Sequence, residues 1–173
     1  TLPEPQKADR PLAYAARYAR YAQVDETLLP QWEWFSLPLD EAEAHAGSLS
    51  VWKDKLLLEP GRALFGREGE VFESLARLKK LGFWRIFCNN IAHLQMARAL
   101  SMEAVGGPFL NVTNSLSAAE LARLGIGAQT LSFEMNVSDA QAVRAPIPLG
   151  LLIYGYLPLM LLRSCPLRGL GAC

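Results

Sequence analysis

The sequence predicts an α/β protein with a parallel sheet: a (β/α) barrel-like stack of strand–helix units, an incomplete TIM-type barrel of six to seven strands. Three observations carry this. Seven short apolar runs, at residues 12–18, 32–37, 55–59, 84–88, 109–112, 129–133 and 149–154, recur with centres roughly 20 to 28 residues apart, the span of a strand, a helix and two loops. Most runs are continuously apolar, as suits parallel strands covered on both faces. Helix signals fall between them. A closed eight-unit barrel typically takes about 250 residues, with about 200 as the floor, and this chain has 173. The expectation is a partial barrel over 12–173 after a proline-bearing linker over 1–11, with an open doubly wound sheet as the alternative.

The helices follow in order. Residues 40–46 form a short helical turn. Residues 68–81 carry Val71, Leu75, Leu78 and Leu81 at helical spacing, and Gly82 is a C-terminal stop. A second helix over 91–100 puts Ile91, Leu94 and Ala97 on one face. Ser117 and Glu120 read as a capping box opening 118–124, with Gly125 closing it. Ser138 and Gln141 repeat the signal before a shorter helix.

Composition narrows the classes. The chain is 51% hydrophobic and 20% charged, which excludes a disordered chain. Seventeen basic residues balance seventeen acidic ones, so net charge gives no support to a strongly basic nucleic-acid binder. Three cysteines are too few for a disulfide scaffold, and their usage favours a cytoplasmic setting. The charge-free stretch 145–162 is interrupted by Pro146, Pro148, Gly150, Gly155 and Pro158, so it reads as strand and turn rather than a membrane span. The ends, Thr1 and Cys173, read as those of a piece of something longer. No glycine-rich nucleotide loop follows any strand.

In parallel α/β folds the functional face lies at the carboxyl ends of the strands. The residues expected there are Glu59, Asn89 and Asn90 with His93 one turn on, Asn111 and Asn114, Glu134, and Tyr154. Glu134, Glu59 and Asn111 are the catalytic candidates; Asn89, Asn90, His93, Asn114, Tyr154 and Arg163 are the substrate-binding ones. Each has a plainer reading beside it. Asparagines are common helix caps, Glu134 suits a helix N-terminus, and a helical histidine is often just satisfied. Cys165 and Cys173 flank Pro166, Gly169 and Gly171, a loop able to wrap a metal. Two thiolates do not complete a four-thiolate site. Cys88 is a third candidate or a small buried hydrophobe.

A family resemblance covers nearly the whole chain. The run Tyr154-Gly155-Tyr156-Leu157-Pro158-Leu159-Met160, then Arg163-Ser164-Cys165-Pro166, resembles a signature region of the peptidase U32 family (collagenase-like), closest to long bacterial members with an extra domain of unknown function. The stretch from Phe109 to Ser115, the Leu131-Ser132-Phe133-Glu134 strand end, and Glu59-Pro60 followed by Arg62 are also similar. The family's better-known signature, a Glu-x-Phe start with Gly-x-Leu-Cys, is not present in full. The resemblance implies an α/β barrel. It implies either a peptidase or, as for several relatives, an iron–sulfur protein supporting hydroxylation of tRNA, ribosomal RNA or a quinone precursor. It further implies that Cys165 and Cys173 are part of a [4Fe–4S] ligand set completed outside this chain. Three functions follow as expectations: part of an RNA-hydroxylation protein; a metal- or carboxylate-dependent peptidase, which no HExxH or GxSxG motif supports; or a non-catalytic half-barrel that binds a partner or a second barrel half.

Overall fold

The computed structural model describes residues 11–158, 160–162, 164, 165 and 167. Seven strands form one sheet: β1 (Ala15–Arg17), β2 (Trp34–Pro38), β3 (Leu56–Glu59), β4 (Arg85–Cys88), β5 (Glu103–Gly106), β6 (Ile126–Thr130) and β7 (Leu149–Gly150). Five helices join them: α1 (Leu39–Ala44), α2 (Glu68–Lys80), α3 (Ile91–Ala99), α4 (Ser115–Arg123) and α5 (Val137–Ala142). Every neighbouring pair is parallel, and the spatial order equals the sequence order. A doubly wound sheet reverses direction at a switch point. This one never does, so the fold is a curled, incomplete parallel barrel.

Strands added always at the same edge, through right-handed crossovers, put every helix on one face of the sheet. Phe35, Leu37, Leu56, Leu58 and Ile86 project to that face and bury against Leu75 and Leu78 of α2 and Leu94 and Ala97 of α3. Full burial of such side chains stabilises by about 1.5–3 kcal/mol each. Leu57, Phe87 and Val105 form a separate cluster on the other face, with Trp34 against them. The Trp34 and Phe87 rings lie 5.3 Å apart. Because side chains alternate along a strand, the next residues on this inner face are Ser36, Glu59 and Asn89. That alternation delivers polar groups to the carboxyl ends of β2, β3 and β4. Among the described residues no helix is long and apolar enough to cross a membrane.

The structure corrects several boundaries. The fifth strand is 103–106, not 109–112; the apolar residues Phe109 and Leu110 sit in a 3-10 turn started by Pro108. The sheet uses Gly106 and Gly107 here because side chains crowd them. A Cβ on Gly106 would overlap Gln129 Oε1, and one on Gly107 would overlap Asn89 Oδ1. A strand that must be small gives no apolar run to read. The sixth strand begins at Ile126 rather than 129, right after the positive-φ Gly125 that ends α4. Only Leu149 and Gly150 pair in the seventh, and only Ala15–Arg17 in the first. The helix over 115–123 is capped by Asn114, whose Oδ1 accepts from Ser117 N. Ser117 is thus not the cap, and Glu120 pairs forward with Arg123. Likewise Asn136, not Ser138, caps α5.

Candidate functional site

A cleft of about 600 Å³ opens at the carboxyl ends of the first strands. The loop after β3, the start of α2, Phe109 and the C-terminal stretch around Pro158, Met160 and Leu161 wall it. Its volume is in the range of small-ligand sites. Glu59 lies at its base, 6% exposed. A buried carboxylate costs several kcal/mol unless it is paired and hydrogen-bonded. Glu59 is both. Arg17 Nε donates to Oε1 at 2.9 Å and to Oε2 at 2.8 Å. Asn89 Nδ2 donates to Oε1 at 3.0 Å and Ser36 Oγ to Oε2 at 3.2 Å. Each carboxylate oxygen therefore receives two hydrogen bonds, which fills the lone-pair sites of the group. Four consecutive strands, β1 to β4, meet at this one side chain.

Asn89 is held from behind. His93, fully buried on α3, accepts the Asn89 backbone N–H through Nδ1 at 3.2 Å. The neutral ring then carries its proton on Nε2, as the hydrogen-bond pattern assigns. Burial pushes the His93 pKa down to about 4, against a smaller upward pull from the Gly61 carbonyl. Among the described residues Nε2 meets no acceptor within hydrogen-bond geometry. At neutral pH His93 is an uncharged acceptor that fixes the end of β4. Asn90 caps α3 through Ala92 N at 2.9 Å, and its Nδ2 reaches the Arg62 carbonyl at 3.1 Å, tying two rim loops together.

Asn111 and Glu134 come together in an adjoining pocket of about 100 Å³, with Arg62, Phe109 and Phe133 around them. Ser132 Oγ donates to Asn111 Oδ1 at 2.6 Å and accepts from Glu134 N at 3.2 Å. Asn111 adopts the left-handed conformation, φ 53°, which asparagine tolerates better than most residues. The Arg62 guanidinium lies 4.4 Å from the Phe109 ring centroid, and Phe133 meets that ring edge-on at 5.8 Å. Arg62 and Phe109 line both spaces, so the two pockets share a wall. Glu59 and Glu134 face different spaces. Asn114 acts as a cap at some remove, and Tyr154 is 92% exposed, outside both.

The far rim of the cleft is ionic. Arg77 Nε donates to Glu43 Oε1 and Ser74 Oγ to Glu43 Oε2, each at 2.6 Å. The Arg77 bond, with Ser74 adding to it, holds the Glu43 carboxyl below the usual range. Arg67 pairs with Glu70 at 2.8 Å.

The thiols divide sharply. Cys88 is fully buried in the helix-side core, and burial pushes its thiol up to about 12. It is a packing residue, poorly suited to ligate metal. Cys165 is exposed. Cys173 and Arg163 lie outside the described residues. Among the described residues no three His, Cys, Asp or Glu side chains form a metal-binding group. These residues offer an iron–sulfur cluster one suitable thiol, Cys165, where a cluster takes four; alone they do not form its site.

Arg17 and Ser36 escaped the sequence reading. Their signal is present: each is a polar residue at the inward parity of a short strand, two positions after Ala15 and Trp34. Together these features define an incomplete (β/α) barrel with a polar, arginine-bearing cleft at its strand carboxyl ends. No protein-family model matches the chain, and no curated protein matches it.

Proposed function

We propose that the chain is part of a U32-type iron–sulfur protein that supports hydroxylation of RNA, with the carboxyl-end cleft as its substrate site. One observation carries the reading. Pro158 and Met160, from the run that resembles the family signature, and the adjoining Leu161 form a wall of the cleft. Cys165 follows Leu161 by four residues, so its Cα lies within about 14 Å of that wall. A cluster held there by Cys165 and Cys173, and completed by ligands outside this chain, would stand beside the substrate. When bound, such a cluster supplies electron transfer. The chain's own residues bind and orient. Glu59 fixes Arg17, His93 fixes Asn89, and Phe109 carries the Arg62 guanidinium over its ring. A reducing compartment, the cytoplasm, suits this chemistry.

A peptidase reading needs a water-activating carboxylate. Glu59 is saturated with donors, which leaves Glu134 as its candidate. The half-barrel reading has one observation in its favour. Among the described residues β1 and β7 are the outer strands, each paired on one edge only, and Leu151, Leu152, Ile153, Tyr154 and Tyr156 beyond β7 are all exposed. A second barrel half would cover them.

Anaerobic reconstitution with iron and sulfide tests the proposal, on this chain and on a form extended past Cys173. The expected result is a cluster on the extended form, by iron and acid-labile sulfide content, that Cys165→Ala abolishes. A full cluster unaffected by Cys165→Ala, or no iron on either form, overturns it.

A further inference from the structure

We infer that the cleft holds a phosphate group, gripped by the terminal amino groups of Arg17. The observation is a difference in how arginines pair. Outside the cleft, Arg85 and Arg123 each use Nε and Nη2 together on one carboxylate: Glu103 at 3.0 and 2.8 Å, and Glu120 at 2.8 and 2.6 Å. Inside it, Arg17, Arg67 and Arg77 pair through Nε alone. Their terminal amino groups meet no protein acceptor among the described residues. A guanidinium has five N–H donors, so Arg17 keeps four unspent while Glu59 pins its Nε.

Arg17 is the member of this set whose partner is buried. Its side chain is 44% exposed and that of Glu59 7%. Glu59 in turn is clamped by Ser36 and Asn89. A half-exposed guanidinium is thus held in one orientation by a rigid base, the preorganised geometry that oxyanion recognition requires. Arg62, which also lines the cleft, has no ion-pair partner among the described residues and is stacked on Phe109. Phosphate takes the forked donors of a guanidinium bidentately, as a carboxylate does, and its further oxygens leave acceptors for a second donor group. Glu59 is then a positioning residue for Arg17. This inference is independent of whether Cys165 ligates iron.

Equilibrium dialysis with radiolabelled inorganic phosphate, alongside a dinucleoside monophosphate and acetate, tests it on the full chain. Wild type is expected to bind a phosphate probe in preference to acetate. Arg17→Met should weaken this about tenfold or more, with Arg17→Lys in between. Arg123→Met, outside the cleft, should change nothing. Glu59→Gln is the sharper test. It removes a negative charge near the anion, so charge alone would tighten binding; loss of positioning predicts weakening by about threefold instead. Circular dichroism on each variant establishes that the fold persists. Preference for inorganic phosphate marks a free or terminal phosphate, and preference for the dinucleotide marks a nucleic-acid backbone; either supports the site. Acetate binding as well as phosphate, no binding at all, or binding unchanged by Arg17→Met overturns it.

Discussion

The two halves of the sheet are held together differently. In β1 to β4, side chains do the tying: Arg17, Ser36 and Asn89 converge on the Glu59 carboxylate, above a core of large aliphatic and aromatic residues. In β5 to β7, close approach does it. Gly106 and Gly107 lie against Gln129 and Asn89, Gln129 Nε2 reaches the Gly107 carbonyl at 3.1 Å, and the supporting core is small. The first half carries the cleft and its preset charges. The second half carries the smaller pocket of Asn111 and Glu134 and runs into an exposed apolar stretch. In the first half the Glu59 carboxylate is the polar group whose acceptor sites are filled. Asn89 Oδ1 and Gln129 Oε1, both buried without a partner, lie at the joint between the halves.

This contrast can be broken experimentally. The largest effect is expected from Glu59→Ala, which strips Asn89 and Ser36 of their acceptor and Arg17 of its anion. A loss of about 3 kcal/mol is expected by urea denaturation, the lower end for a broken buried pair because Arg17 remains partly solvated. A loss under about 1 kcal/mol would show that the first half is not held this way. Acid should act through His93. Its folded pKa of about 4 lies below the ordinary 6.5, so between these values the unfolded chain binds the proton that the folded one refuses. Stability from this group is therefore full above pH 6.5 and falls as pH drops toward 4, by an amount of order 3 kcal/mol. His93→Gln should flatten that window in a pH series of denaturation midpoints. Next comes Gly107→Ala, expected to cost about 2 kcal/mol by overpacking against Asn89; a neutral result in a thermal melt would remove close approach as the principle of the second half. Smallest is Leu152→Ser in the exposed stretch, within about 0.5 kcal/mol. A larger loss would mean that the stretch packs on something.

Legibility in the sequence followed the same divide. β2, β3 and β4 were readable because Phe35, Leu37, Leu56, Leu58 and Ile86 announce buried strands. α2 was readable because Val71, Leu75 and Leu78 repeat at helical spacing before Gly82. β5 was not, because glycine packing leaves no apolar run and the conspicuous Phe109 and Leu110 belong to the turn beyond. Glu59 and Asn89 were legible as strand-end polar residues, and their meeting follows from the register of parallel neighbours. Arg17 was not, because its strand pairs over only three residues and its partner lies two strands away. The pairing of Asn111 with Glu134 through Ser132 depends on a left-handed turn that composition does not reveal.

The most direct test of the cleft as substrate site is photo-crosslinking of the reconstituted, extended protein to a pool of single-stranded RNA oligonucleotides, with adducts mapped by mass spectrometry. The expected result is adducts on the cleft and its shared wall, at Arg62, Phe109 and their neighbours, that Arg17→Met diminishes. Adducts confined to the outer faces of α2 to α4, or none above a scrambled-protein control, would contradict it.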